Sequence, residues 1–217
     1  MIVRYWMTPA PTTAHPDDTL LRAVQTMRRE RVRRLPVVDS AARLVGILSQ
    51  SDLLPLLGPH LLRSSDPLPA DLAELLEGAK LEQWMTANPE TCTPNDALEE
   101  VGERLMARKV GALPVVHEAA LVGIITESDI FKAFTRVARG GSDTRRLCLL
   151  VPHAERPELI RRLVEMAHED SVDVHVVLCH PTDRIGEQLV MVRVGGAKVG
   201  KLIDRLWRSR VQVLQVV

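Results

Sequence analysis

The stretch Leu121–Phe131, LVGIITESDIF, repeats almost letter for letter what the chain has already said at Leu44–Leu54, LVGILSQSDLL. Each copy runs through apolar residues, a glycine, two more apolar residues, a hydroxyl residue, two spacers and an aspartate. The shared pattern is G-x-x-[ST]-x-x-D, carried by Gly46, Ser49 and Asp52 and again by Gly123, Thr126 and Asp129. Working outward, Trp6-Met7-Thr8 answers Trp84-Met85-Thr86, Pro11 answers Pro89, Pro16 answers Pro94, and Leu35-Pro36-Val37-Val38 answers Leu113-Pro114-Val115-Val116. The offset is 78 up to the Pro-Val-Val step and 77 after it, one residue being lost in a turn. Agreement over roughly fifty residues marks an internal repeat, which decides the fold before any single element does.

Within the first copy, Leu20, Ala23, Val24 and Met27 follow the i, i+3, i+4, i+7 spacing of a half-buried helix, predicted over Asp17–Arg31 with Pro16 at its start. Leu35–Val38 and Leu44–Leu48 are short apolar runs around the polar turn DSAAR and predict a hairpin. Asp52 then falls in the first turn of another helix. The unit is strand, helix, strand, strand, helix. The second copy predicts a helix through Leu98, Val101 and Leu105 with Thr93 at N-cap, Pro94 at N1 and Asp96 at N3, and a hairpin turn HEAA.

Between the copies, Pro59, Pro67 and Pro69 interrupt the early part of residues 58–83, and DLAELLEGAKLEQW predicts an amphipathic helix with Leu72, Leu75, Leu76 and Leu81 on its apolar side, read as a packed linker. Arg139-Gly140-Gly141-Ser142-Asp143 is polar and Gly-rich and reads as a domain boundary. Beyond it the predicted order is strand Arg146–Val151, helix Pro157–Glu169, strand Val172–Cys179, strand Gly186–Val194, helix Ala197–Arg208 and strand Val211–Val217. That βαββαβ order is the split-βαβ plan of ferredoxin-like domains.

The Ser49…Asp52 and Thr126…Asp129 spacing has two compatible readings. One is a capping box, in which the hydroxyl accepts from a backbone N–H near the helix start and the acid at N3 reaches back. The other is a ligand site: a helix N-terminus offers free N–H groups and a positive dipole end to a phosphate, and a carboxylate there can accept both hydroxyls of a ribose. The motif by itself leaves both open.

The whole repeat unit resembles the CBS domain, and two units in tandem resemble a Bateman module, covering Met1 to Ala138. The resemblance implies an α/β fold of two βαββα repeats packed as a pseudo-twofold pair, with repeat one at 1–57, a linker at 58–83 and repeat two at 84–138. It further implies that the motif residues face clefts between the repeats and hold an adenosyl ligand such as AMP, ATP or S-adenosylmethionine. On that basis Asp52 and Asp129 hold ribose, Ser49 and Thr126 lie near phosphate or ribose, and Val37 and Val115 border the ligand. Arg34, and less so Arg33, stand just before Leu35-Pro36, where basic residues of the family meet phosphate; the plain alternative for Arg28–Arg34 is a solvated basic run at a helix end, favoured by the dipole. Repeat two has Gly111 and Ala112 in those places. After a linker at 139–144, residues 145–217 resemble an ACT domain, and the order CBS, CBS, ACT is similar to the acetoin-utilisation regulators of the AcuB type. ACT domains that bind amino acids carry glycine where this chain has Glu158, so the resemblance favours dimerisation over amino-acid binding.

Composition agrees with such a protein. Apolar residues make up 46% and charged residues 26% of the 217, and 28 basic residues balance 28 acidic ones. No broad field invites nucleic acid or anionic membrane. The start MIVRYWMTPAPTT lacks a signal-peptide core and no run approaches eighteen apolar residues, which predicts a cytoplasmic protein. Cys92, Cys148 and Cys179 read as buried thiols. His175 and Cys179 share a strand face while His180, His153 and His168 do not converge with them, so no metal site is expected. Gly195-Gly196 with Gly200 reads as a strand end and helix start. No nucleophile elbow, Walker loop, HExxH or CxxC pair occurs, and no enzyme is expected. The expected function is regulatory sensing of an adenosyl ligand by a homodimer that signals to a partner, the alternative being a ligand-free oligomeric scaffold.

Overall fold

The structure, a computed structural model, describes residues 1–58, 67–141, 143–209 and 211–217. Contacts along the chain divide it into two compact units, Met1–Phe131 and Lys132–Val217.

In the first unit, repeat one contributes β1 (Thr8–Pro9), α1 (Leu20–Arg29), β2 (Arg34–Val38), β3 (Leu44–Ser49) and α2 (Gln50–Leu57). After α3 (Ala70–Gly78), repeat two contributes β4 (Thr86–Ala87), α4 (Leu98–Arg108), β5 (Ala112–His117), β6 (Ala120–Thr126) and the start of α5 (Glu127–Arg139), which runs on into the second unit from Lys132. Each repeat forms its own antiparallel hairpin, β2 with β3 and β5 with β6, and then exchanges its short first strand with the other copy. β1 pairs with β6, Pro9 opposite Gly123, and β4 pairs with β3, Ala87 opposite Gly46. The exchange explains the motif glycines. A Cβ on Gly46 would stand 2.3 Å from the Met85 sulfur, and one on Gly123 would stand 2.7 Å from that of Met7. The Trp-Met-Thr echo and the glycine of the opposite copy are therefore one packing contact made twice.

Both predicted helix starts move inward. α1 begins at Leu20, with Thr19 as N-cap accepting from the Arg22 amide at 3.2 Å, and α4 begins at Leu98. The cause is again exchange between copies: the Leu20 amide donates to the Ala79 carbonyl and the Leu98 amide to the Met1 carbonyl, both at 2.8 Å. The extended backbone that makes these bridges cannot also be helical. Thr93 and Asp96 still bond to each other, the Thr93 amide donating to Asp96 Oδ2 at 3.1 Å, but they close a turn ahead of α4 and do not cap it. The linker helix ends at Gly78, well short of Trp84, because Ala79 turns extended to reach Leu20. Leu76 and Leu81 are fully buried and Leu72 packs beside them, whereas Leu75 is 56% exposed. Pro59 lies outside the described residues. The core of repeat one joins Leu20, Val24 and Met27 to Leu35, Val37, Leu48, Leu53 and Leu57; each buried leucine of this kind contributes about 1.5–3 kcal/mol relative to exposure.

The second unit comprises β7 (Thr144–Pro152), α6 (Arg156–Glu169), β8 (Asp173–Pro181), β9 (Glu187–Gly195), α7 (Val199–Arg208) and β10 (Gln212–Val216). The sheet order is β10-β7-β9-β8 with every pair antiparallel, as the split-βαβ plan requires. Alternate residues Leu147, Leu149 and Val151 of β7 and Val190, Val192 and Val194 of β9 face α6 and α7, whose Leu159, Leu163, Leu202 and Leu206 complete the core. The intervening Cys148, Leu150, Leu189 and Met191 are half-buried on the sheet's other face. As read from the sequence, Gly195 ends β9 and the chain enters α7 at Val199. Ser142 of the Gly-rich boundary lies outside the described residues.

Only Cys92 is a buried thiol, and burial pushes its pKa up to about 12, which leaves it inert. Cys148 is half-buried, and Cys179 is exposed because it lies near the outer end of the edge strand β8. A register shift between Val174 and Val176 breaks the alternation on which the shared face of His175 and Cys179 depended. Among the described residues no three His, Cys, Asp or Glu side chains are placed to hold a metal ion, and no helix is long and apolar enough to cross a membrane.

Candidate functional site

Each motif hydroxyl and aspartate sits at a strand-to-helix junction. Ser49 ends β3 and Asp52 is the third residue of α2; Thr126 ends β6 and Asp129 is the third residue of α5. In repeat two the Thr126 amide donates to Asp129 Oδ2 at 3.1 Å, and the Asp129 amide donates to Thr126 Oγ1 at 3.2 Å. In repeat one the Ser49 amide donates to Asp52 Oδ2 at 2.7 Å, again within a capping box. Each hydroxyl also donates to its carboxylate, at 2.6 Å from Thr126 and 2.7 Å from Ser49. The capping reading holds at both places. It also fixes where each carboxylate stands, which a ligand site needs in advance.

Beside the junctions open two clefts. The larger, of about 630 Å³, is lined by Asp129 and Thr126, by Thr8 and Thr12 of the exchanged N-terminal segment, and by Arg31, Arg33 and Arg34. The smaller, of about 330 Å³, is lined by Asp52 and Ser49, by Thr86 and Glu90, and by Lys109 and Gly111. The two linings are related through the internal repeat: Thr8 answers Thr86, Thr12 answers Glu90, Arg31 answers Lys109, and Arg33 answers Gly111. Each cleft therefore takes its acid from one repeat and most of its opposite wall from the other, while Ser49, Ser51 and Gly111 line both. The sequence alone missed Thr8, Thr86, Glu90 and Lys109. Its one trace of them was the Trp-Met-Thr echo, which carries no sign that the strand crosses over.

Arg34 lines both clefts. It starts β2, opposite Ser49, and its half-buried side chain reaches over Gly111, where a Cβ would lie 1.9 Å from one guanidinium nitrogen and 3.2 Å from Glu127 Oε2. Burial lowers its pKa, while the charges of Glu127 on one side and Asp52 on the other pull it back up; a guanidinium in this setting stays charged. Glu90 is ionised, since Arg104 and Arg108 bond its carboxylate at 2.7 and 3.1 Å and hold its pKa below the usual range. Ser49, Asp52, Thr126, Asp129 and Arg34 thus all face a cleft. Val37 and Val115 do not: both are fully buried in mid-strand and line neither cavity.

The CBS domain model matches residues 3–58 and 81–136, together just over half of the chain. The chain belongs to the CBS-domain family. Its two domains form the pair whose exchanged strands and paired clefts are described above. Among solved structures, the AcuB protein of Vibrio cholerae, named for acetoin utilization, is 31% identical with a TM-score of 0.50, over 62% of this chain and 90% of that one. CBSX2, solved in complex with AMP, is 28% identical with a TM-score of 0.50, over 61% of this chain and 95% of that one. Protein MJ1225 of Methanocaldococcus jannaschii is 33% identical over 134 residues, which are 61% of this chain and 47% of that protein, so the match spans about half the length of that relative.

Proposed function

We propose that this CBS-domain pair is a non-enzymatic regulatory sensor that binds an adenosyl ligand of the AMP, ATP or S-adenosylmethionine type and passes the change to a partner protein. The observation that carries the reading is the duplicated junction: a carboxylate locked at a helix N-terminus, a hydroxyl beside it, and an opposite wall supplied by the other repeat. In this reading Asp52 and Asp129 accept ribose hydroxyls, Ser49 and Thr126 lie near ribose or phosphate, and Arg34 meets phosphate. The AMP complex of the related CBSX2 supports the ligand class. A sensor also needs the ligand to favour one arrangement of the repeats, since equal affinity for two states shifts neither. A thermal-shift panel of AMP, ADP, ATP, S-adenosylmethionine and NADH tests the reading. At a hundredfold excess over Kd the binder stabilises the protein by about 2.7 kcal/mol, and a flat response to the whole panel refutes ligand sensing and leaves the scaffold alternative.

The likeness to AcuB points to acetoin utilisation as the setting in which the sensor works. Residues 1–138 are the ligand-binding part in this reading, and a truncated chain ending there should fold and bind. Residues 145–217 are an ACT-type domain that pairs two chains. Glu158, which replaces the glycine of amino-acid-binding ACT domains, is tied to Arg161 at 2.7 Å on the surface of α6, which supports pairing over amino-acid capture. The half-buried apolar side chains of Cys148, Leu150, Leu189 and Met191 on the second face of its sheet support a homodimer, in keeping with the prevalence of symmetric pairs. Light scattering that gives a monomer at micromolar concentration refutes it.

A further inference from the structure

The two clefts hold one half-buried cation between them. Arg34 belongs to both linings, its guanidinium lies over Gly111, and the acids that act on it are Glu127 in the lining of the larger cleft and Asp52 in that of the smaller. The repeat provides no second copy, because the position equivalent to Arg34 is Ala112. The other cations of the clefts, Arg31, Arg33 and Lys109, are exposed, so their charge is well solvated and screened before any ligand arrives. A guanidinium can bond two anions through different edges, as Arg161 does with Glu158 and Glu165, but it brings a single positive charge, so a second phosphate meets a cation that the first has already largely neutralised.

Resting on the adenosyl-ligand reading, we propose that the two clefts compete for Arg34, so that each chain holds one phosphate-bearing adenosyl ligand tightly and a second far more weakly. The larger cleft wins the competition. It adds Arg31 and Arg33 to the shared cation and has the neutral Thr12 where the smaller cleft has ionised Glu90. A neutral adenosyl ligand makes no claim on Arg34, so for it the clefts are independent. The charge of the ligand, in this scheme, sets how many molecules the sensor carries. Coupling of this kind is reciprocal: whichever cleft takes the guanidinium lowers the affinity of the other by the same factor.

Calorimetric titration of the full chain with adenosine and with AMP tests this. For the wild type, adenosine should fill two sites per chain with affinities within a few-fold. AMP should fill one site tightly and the second at least about tenfold more weakly, within the range usual for coupled sites. In Arg34→Ala the tight AMP site should weaken by about tenfold or more, the two AMP affinities should converge, and adenosine should be unchanged; Arg34→Lys should retain part of the AMP preference. Three outcomes overturn the proposal: AMP filling both wild-type clefts equally, AMP sites that stay tenfold apart in Arg34→Ala, or adenosine saturating at a single site. If Arg34→Ala unfolds the pair, Arg34→Gln takes its place, and an equal loss of adenosine and AMP binding in that variant also overturns it. If neither adenosine nor AMP binds the wild type, the ligand reading itself has failed, which is a different result from any of these.

Discussion

The cleft of Asp129 and the cleft of Asp52 are built from equivalent positions of one repeated unit, yet one has about 630 Å³ and the other about 330 Å³. The parts that agree are the ones that make the scaffold: the strand-to-helix junction, the capping carboxylate, and the glycine under the exchanged methionine. The parts that differ lie on the opposite wall, where Thr12, Arg31 and Arg33 face Glu90, Lys109 and Gly111 as counterparts. Duplication preserved the frame because a change there disturbs packing in both halves at once. Thr12, Arg31 and Arg33 line only the larger cleft and Glu90 and Lys109 only the smaller, so a change at any of them alters one cleft at a time.

If the larger cleft is the tighter, Asp129→Ala should remove a charged acceptor from ribose and cost roughly 1.5–3 kcal/mol, or about one to two decades in Kd. Asp52→Ala should cost less. Threonine's branched carbon also restricts the Thr126 hydroxyl more than Ser49 is restricted, so less entropy is lost on binding. Because both carboxylates close capping boxes, the comparison is made by calorimetry on variants whose ligand-free melting temperatures match. A greater loss of affinity in Asp52→Ala reverses the assignment.

The frame itself can be broken at Gly46. An added Cβ would meet Met85 at its sulfur and at Cγ, 2.3 and 2.9 Å away, so the whole side chain has to shift and not merely its tip. Gly46→Ala should destabilise the pair by about 1–3 kcal/mol as overpacking does, seen as a lower melting temperature. In a double-mutant cycle with Met85→Ala the two changes should be strongly non-additive, since they act on one contact. Additive losses would mean that the glycine serves the strand and not the exchange.

Much of this frame is legible in the residues. The repeat, its period, the hairpins, the helix cores at Leu20–Met27 and Leu98–Leu105, and the βαββαβ order of the second unit follow from spacing. What local pattern cannot show is which copy a short strand pairs with. Thr8–Pro9 and Thr86–Ala87 are two residues each, too short to carry periodicity, and the exchange they make also pushes the starts of α1 and α4 to Leu20 and Leu98. The same crossing hides the opposite walls of the clefts. Arg34 was legible as a candidate from its place before Leu35-Pro36, but its position between two clefts depends on the smallness of Gly111, far away in sequence.

The second unit contrasts with the pair in having no exchanged partner, and one ion cluster ties α6 to α7. Asp170 is 1% exposed and receives Lys201 at 2.7 Å and Arg205 at 2.9 Å. The bond from Lys201, helped by Arg205, holds its carboxyl below the usual aspartate range. A carboxylate whose pKa is lower in the native than in the unfolded chain stabilises the fold above the unfolded value of about 3.9, and that contribution fades as the pH falls through the native pKa. The gap in stability between the wild type and Asp170→Asn should therefore be full at neutral pH and close below about pH 4. Acid titrations of both proteins followed by circular dichroism check this, and a gap that is constant with pH refutes it.

The smallest expected effect bears most directly on the difference between the clefts. Glu90 stands in the smaller cleft where Thr12 stands in the larger, and replacing it with its counterpart, Glu90→Thr, makes the walls more alike without touching either capping box. Removing the carboxylate subtracts a negative charge from the lining and releases Arg104 and Arg108 from their bonds to it, both of which favour an incoming phosphate. Against this, Glu90 is partly exposed, so solvent and salt screen its influence, and Arg34 remains shared. The weaker AMP site should gain only a few-fold in affinity at low ionic strength, the gain should shrink with added salt, and adenosine should bind as before. Arg104 keeps Asp96 at 3.4 Å and the Thr91 carbonyl as partners in the variant, so the start of α4 should stay in place and the melting temperature should change little. A gain equally large for adenosine would assign the effect to space and not to charge. No gain at all would leave Arg31 and Arg33 of the larger cleft as the source of the difference between the clefts.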